Sequence, residues 1–312
     1  PLFSLETHSA IRDFDMLGFT LQYEMSYTNV LNMLDLAGLP VRSKDRTALT
    51  PIVVAGGTCV CNAEPMAEFF DITLPGDGEE VTNELIDLLK EYKAKGATKQ
   101  EFLQAAAQIK GVYVPSLYEV EYNEDNTVKS ITPTCGAPEK VENRNVADLD
   151  SMFSPSEFVV PFLEVVHDRT TVEIFRGCIR GCRFCQAGFI NRPLRRKSPE
   201  TVEAQCRAIC NSTGYDEISL CSLSTSDYKG LEKLITNMLP WTVEEKINSF
   251  YYRVFPGYGK KLKRNAENVK GNLFGSNSVA WTKEFQRRTG LVQDGCIGPI
   301  TLAKLVEQGF KY

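Results

Sequence analysis

Three of the chain's ten cysteines, Cys178, Cys182 and Cys185, fall within eight residues of the run FRGCIRGCRFCQAG (175–188), spaced C-x3-C-x2-C. Thiolates are the metal-binding form of cysteine, and three from one short loop can face a single cluster. Gly177 and Gly181 lack the Cβ that would stop the backbone curling around it. A [4Fe–4S] cluster normally takes four thiolates. With three, one iron keeps an open position, the arrangement needed to bind and reductively cleave a cofactor. Two blander readings stand beside this one. A zinc knuckle would need a fourth tetrahedral ligand from Cys206, Cys210 or Cys221. Inert packing thiols, the role given to the other seven cysteines, would need none. The chain has only two histidines, His8 and His167, so it has little material for a His-based metal site or a nucleophile–His triad. His167, before Asp168 and Arg169, reads as a structural hydrogen-bonding residue.

The elements around the cysteines must hold them at a rim. TVEIF (171–175) is a β-rich apolar run directly before the loop. SPETVEAQCRAICNSTG (198–214) predicts a helix with Ser198 as cap, Pro199 in the first turn and Gly214 at the end. DEISLCSLSTSDY (216–228) predicts a strand entering a Ser/Thr-rich loop, GLEKLITNML (230–239) a helix, and EKINSF (245–250) the opening of another strand. Upstream, FDMLGFTL (14–21), PIVVAGG (51–57) and DITLPG (71–76) read as buried strands. They alternate with helices expected over 26–37, where Val30, Met33, Leu34 and Ala37 form a stripe, over 63–70, and from Val81 onward. Such alternation means a parallel, helix-covered sheet whose ligands sit beyond the strand C-termini, where AGG and GDGEE fall. VYVPSLYEVEYNEDNTVKSITP (112–133) predicts a hairpin turning at NEDN, followed by a proline-rich linker.

The expected organisation is therefore a partial Rossmann-like parallel sheet over 1–95, a hairpin and linker over 96–165, an incomplete βα barrel over 166–249, and a small all-helical domain over 250–312. The chain's 312 residues, 43% hydrophobic and 24% charged, are ordinary for a soluble globular protein, and no 18-residue apolar run predicts a membrane span. The net charge of −5 argues against a mainly nucleic-acid-binding surface. Seven cations nevertheless crowd the cysteine loop: Arg176, Arg180, Arg183, Arg192, Arg195, Arg196 and Lys197. They read either as a solvated basic face or as a patch for an anionic group, substrate or RNA. The N-terminus has no signal-peptide pattern, and with Pro1 as the opening residue the natural start is expected upstream.

The cysteine run resembles the signature of radical S-adenosylmethionine (SAM) enzymes, C-x3-C-x-aromatic-C, with Phe184 as the aromatic. VEIFRGCIRGCRFCQAGFINRPLRRKSPE (172–200), LGFTLQYEMSYTNVLNMLDLAGLP (17–40), AGGTCVCNAEP, GDGEE, VVHDR and SLCSLSTSDY are similar to one uncharacterised branch with an N-terminal cobalamin-binding-like domain. The resemblance runs over about residues 1–249. It implies that Cys178, Cys182 and Cys185 ligate three irons and that the fourth takes SAM. It also implies that backbone near Phe184 approaches the adenine and that Ser222, Ser224 and Thr225 lie where SAM is contacted. Reductive cleavage of SAM would start radical chemistry on a substrate the sequence does not specify. An electron donor of flavodoxin or ferredoxin type and a cytoplasmic location are implied with it. Methylthiotransferases of the superfamily act on RNA, but Cys59 and Cys61 do not reproduce their second cysteine trio.

Three departures qualify the resemblance. The first strands of a cobalamin domain are expected upstream, the histidine-bearing loop is absent and His8 is out of context, so cobalamin is not expected in this chain. Only about two and a half of about six βα units precede Phe250, which predicts a barrel that stops short. Finally, NVKGNLFGSNSVAWTKEFQRRTGLVQDGCIGPITLAKL (268–305) resembles a peptidoglycan-binding domain of cell-wall hydrolases, with DGCIGPITLAKL (294–305) its specific part. Such a module works outside the cytoplasm, so a fused or chimeric gene product is expected. The alternative function is a peptidoglycan-binding protein with a non-catalytic N-terminal part.

Overall fold

Both runs of alternating strands and helices fold as parallel sheets, each in its own compact unit, Pro1–Val146 and Ala147–Tyr312. The computed structural model describes residues 2–161, 169–243, 249–252, 262–265, 283 and 286–287.

In the first unit, β1 (Met16–Thr20), β2 (Ile52–Gly56) and β3 (Ile72–Thr73) pair in parallel in that order. β2 is buried on both faces, which is why its apolar residues do not alternate with polar ones. Helix α1 (Tyr27–Leu36) buries Val30 and Leu34 against one side. Met33, expected in the same stripe, is 41% exposed. Helix α2 (Val81–Ala94) buries Val81, Leu85 and Leu89, spaced four residues apart along one face. Helix α3 (Lys99–Ala106) follows, capped by Thr98 and Glu101 in a reciprocal box. The helix expected over 63–70 is instead one short 3-10 turn, Glu64–Met66, preceded by another over Thr58–Asn62. Pro65 supplies no N–H for a continuous helix there. The hairpin forms as expected, β4 (Tyr118–Tyr122) against β5 (Val128–Pro133).

Beneath this sheet lies a charged core. Asp71, fully buried, accepts hydrogen bonds from Val53 N at 2.8 Å, Lys99 Nζ at 2.7 Å and Arg46 Nη2 at 3.2 Å, and from Ser43 Oγ. Arg46 also donates to the carbonyls of Pro40, Val41 and Phe69. One buried carboxylate thus ties the loop before β2, the start of β3 and helix α3 together.

In the second unit, β6 (Thr170–Glu173) leads through a short ribbon of β7 (Phe175–Arg176), the four-residue helix α4 (Ala187–Ile190) and β8 (Arg195–Arg196) into α5 (Pro199–Thr213). β9 (Glu217–Cys221), α6 (Leu231–Val243), β10 (Ser249–Tyr252) and β11 (Leu262–Asn265) complete the described elements. β6, β9 and β10 are parallel, and β11 is antiparallel on the outer edge of β10. Helix α5 has the predicted boundaries. Ser198 Oγ accepts from Thr201 N, Pro199 is in the first turn, and Gly214 ends the helix at φ 75°. Its buried Val202, Cys206 and Ile209 pack on Val172, Ile218 and Leu220 of the sheet.

The all-helical expectation for 250–312 does not hold at its start, where β10 and β11 pair. The aromatic run SFYY has the β preference that explains β10. The segment similar to peptidoglycan-binding domains lies outside the described residues, apart from residue 283 and residues 286–287, which are helical. His167 also lies outside them. Among the described residues, no helix is long and apolar enough to cross a membrane.

Candidate metal and cofactor site at the strand rim

The cysteine loop leaves the C-terminal end of β6. The last residue pair between β6 and β9 is Glu173 opposite Cys221, and Ile174 N donates to Cys221 O at 3.0 Å. The two chains then diverge into the two loops that sequence reasoning singled out, so Cys178–Cys185 and Ser222–Thr225 emerge side by side. Ligands of parallel sheets sit at this rim.

Three features fix the base of the cysteine loop. Phe175 and Arg176 pair with Arg196 and Arg195, closing the loop's two ends. Gly177 adopts φ 84°, and a Cβ there would stand 2.7 Å from both Asn191 O and Pro193 O. Only glycine allows that approach. Tyr228, buried after the second loop, donates from its hydroxyl to Lys197 O at 2.9 Å and stacks on Phe175, with ring centroids 6.4 Å apart. Burial pushes the Tyr228 hydroxyl pKa up to about 12, so it stays a donor.

Within the loop, Gly181 turns the chain at φ 62°, and Cys185 N donates to Cys182 O at 3.0 Å. Cys178 and Cys185 are half-buried and Cys182 is exposed. Gly188, at the start of α4, lies against two of them: a Cβ there would meet Cys185 Sγ at 3.6 Å and Cys178 Cβ at 3.9 Å. Phe184 is 91% exposed beside Cys185.

The donor set fits an iron–sulfur cluster. Three soft thiols share one glycine-turned loop, and none is sealed in the core. Among the described residues, no three His, Cys, Asp or Glu groups converge as they would around one ion. A four-iron cube takes its thiolates at separate corners, so it needs no such convergence. The other thiols named as zinc candidates are less available. Cys206 is buried, and burial raises its pKa to about 12, while burial also raises the pKa values of Cys210 and Cys221.

In the second loop, the Ser222 and Thr225 hydroxyls hydrogen-bond each other at 2.9 Å, and Ser224 Oγ donates to Asp227 Oδ2 at 2.7 Å. Asp227 in turn holds Arg180 of the cysteine loop, whose Nε lies 2.7 Å from Oδ2 and whose Nη2 bonds Oδ1. The Arg180 guanidinium bonded to it, above all, holds the Asp227 carboxyl below its usual pKa. The link was missed in the sequence because its partners are 47 residues apart.

Of the seven cations read as a solvated face or an anion patch, Arg180, Arg183, Arg192 and Arg196 are exposed, and several have partners within the chain. Arg176 pairs with Glu173 at 3.0 Å, and Arg192 lies over the Phe189 ring at 4.5 Å. Arg195 and Lys197 are buried, with Arg195 Nε donating to Pro193 O and Lys197 Nζ to Gln205 Oε1. Burial lowers the Lys197 pKa.

The glycine turns of the first unit serve close backbone packing. At Gly57, after β2, a Cβ would stand 2.6 Å from Leu21 O, and at Gly76, in GDGEE, 2.0 Å from Arg144 O. Arg144 clamps that turn, pairing with Glu80 at 2.8 Å and Glu84 at 2.6 Å. His8 packs on the Phe3 ring, with centroids 5.7 Å apart.

An uncharacterised protein of Methanocaldococcus jannaschii is 28% identical over 237 residues, 75% of this chain and 44% of that one. The chain thus spans less than half the length of this curated relative. Two solved structures are similar at low identity. The radical SAM methyltransferase TsrM from Kitasatospora setae, with cobalamin and a [4Fe–4S] cluster bound, is 13% identical with a TM-score of 0.43 over 76% of this chain and 42% of that one. The cobalamin-dependent SAM radical enzyme OxsB, with aqua-cobalamin and SAM bound, is 16% identical with a TM-score of 0.44 over 76% and 30%. The family model described as the N-terminal part of radical SAM proteins matches residues 1–115, which lie within the first unit.

Proposed function

We propose that this chain is the iron–sulfur and SAM-binding part of a radical SAM enzyme. The observation that carries the reading is the juxtaposition of the loop bearing Cys178, Cys182 and Cys185 with the Ser222–Thr225 loop, at the C-terminal ends of neighbouring parallel strands. The radical SAM match of residues 1–115 supports it from a separate part of the chain. Cys178, Cys182 and Cys185 would hold a [4Fe–4S] cluster. When bound, the cluster and SAM supply a reductively generated 5′-deoxyadenosyl radical.

The chain's own residues hold the loop and present polar groups to the ligand. Gly177 and the β7–β8 ribbon fix the base of the loop, and Gly181 turns it. The exposed Phe184 offers backbone and ring to an adenine. Ser222 and Thr225, bonded to each other, keep lone pairs for a ligand ammonium, whereas Ser224 gives its proton to Asp227. A one-electron donor and a reducing, cytoplasmic setting belong to the same reading. The βα run from β6 to β10 forms the opening of the barrel.

Anaerobic reconstitution with iron and sulfide tests it. The expected product is a brown protein whose spectrum changes when SAM is added. A colourless protein, or a cluster spectrum indifferent to SAM, would remove the proposal.

A further inference from the structure

We infer that Arg180 and Asp227 form a latch that holds the cysteine loop at the separation from the Ser222–Thr225 loop at which both engage one SAM molecule. The inference rests on the proposed function and adds two positioning residues to it.

Among the described residues, the pairing of the two strands ends at Glu173 and Cys221, with Ile174 N to Cys221 O continuing the ladder. Tyr228 ties the second segment to the base of the cysteine loop through Lys197 O and Phe175, and a further contact is needed to register the loop tips. Arg180 occupies the centre of the three-residue spacer between Cys178 and Cys182. Its backbone N–H points to Cys178 Sγ at 3.5 Å, and its guanidinium takes both oxygens of Asp227. Two-point binding of a planar guanidinium to a carboxylate fixes direction as well as distance. Asp227 is oriented from behind by Ser224 Oγ at 2.7 Å, and its side chain is only 14% exposed. One chain of contacts therefore runs from a cluster cysteine, through Arg180 and Asp227, to the loop assigned to SAM.

Arg180 itself is 59% exposed. Exposed pairs add little to stability, so this pair's effect falls on loop geometry rather than on folding.

The test uses the full chain as wild type, Arg180→Gln, Asp227→Asn, and the exchange Arg180→Asp with Asp227→Arg. Glu200→Gln, which removes the surface pair with Lys233, is the control. The first readout is alkylation of Cys178 and Cys182 in metal-free protein, followed by mass spectrometry. Faster alkylation in both single variants, but not in the control, is expected. The second readout is a SAM titration of the reduced cluster's electron paramagnetic resonance signal. The single variants should keep their iron yet bind SAM about tenfold more weakly, a loss of about 1.4 kcal/mol of binding. The exchange should recover most of the loss. Unchanged alkylation, SAM binding equal to wild type in the single variants, or an exchange as weak as either single variant would overturn the latch. A wild type without iron would instead overturn the proposed function, and the alkylation comparison, which needs no iron, tells the two failures apart.

Discussion

Replacing Gly177 by alanine should cost more than the same change at any open glycine with a comparable backbone angle, and Gly214 provides the comparison. Both residues are left-handed, Gly177 at φ 84° and Gly214 at φ 75°. A Cβ at Gly214 meets nothing within 4 Å, so Gly214→Ala carries the conformational cost alone, about 1–2 kcal/mol. A Cβ at Gly177 meets Asn191 O and Pro193 O at 2.7 Å and Leu194 Cα at 3.0 Å, all backbone. That overlap adds about 1–3 kcal/mol, as overpacking does elsewhere, for a total of about 2–5 kcal/mol. Both glycines lie in the second unit, so native-state hydrogen exchange of the β9 amides reports both on one scale. If the loop opens instead of the sheet, the strain appears as faster alkylation of Cys178 and Cys185. Equal exchange and equal alkylation in the two variants would refute the claim that Gly177 seals the base of the cysteine loop.

Three further outcomes follow from the same structure. Asp71→Ala leaves Arg46 and Lys99 buried without their carboxylate and should destabilise the first unit by about 3–5 kcal/mol in urea unfolding. Thr98→Ala should cost about 1 kcal/mol at neutral pH through loss of the helix cap. The Thr98 backbone N–H first, and its hydroxyl second, hold the Glu101 carboxyl below its usual range; the hydroxyl's share, which Thr98→Ala removes, is present above the usual carboxylate range and lost as pH falls through the folded pKa. The cost of Thr98→Ala, measured by chemical denaturation, should therefore shrink in acid. Alkylation of the metal-free native protein near pH 8 should mark exposed Cys182 and spare buried Cys206, whose pKa stands at about 12, until urea is added.

The local elements were legible where they depend on the spacing of a few residues, and the supporting contacts were not. The C-x3-C-x2-C run, the strand before it and the Ser198-to-Gly214 helix could be read because each is written in a few adjacent residues. Helix α3 left a readable sign in Thr98 and Glu101, the two ends of a capping box, but the helix was not expected. The basic run 176–197 was legible in part: Arg180, Arg183, Arg192 and Arg196 are exposed, whereas Arg195 and Lys197 are buried, which charge in sequence does not reveal. Arg195, in β8, and Lys197, just after it, are buried, with Arg195 Nε on Pro193 O and Lys197 Nζ on Gln205 Oε1. Long-range contacts had no local signal. Asp71 meets Lys99 across 28 residues and Arg180 meets Asp227 across 47. The GDGEE turn was legible as a turn, while its closeness to Arg144 was not.

Metal analysis of anaerobically purified protein tests the central claim most directly. The account predicts about four irons with matching sulfide per chain, lost when Cys178, Cys182 and Cys185 are all changed to alanine. One zinc per chain in a colourless protein, or iron retained equally by the triple variant, would contradict it.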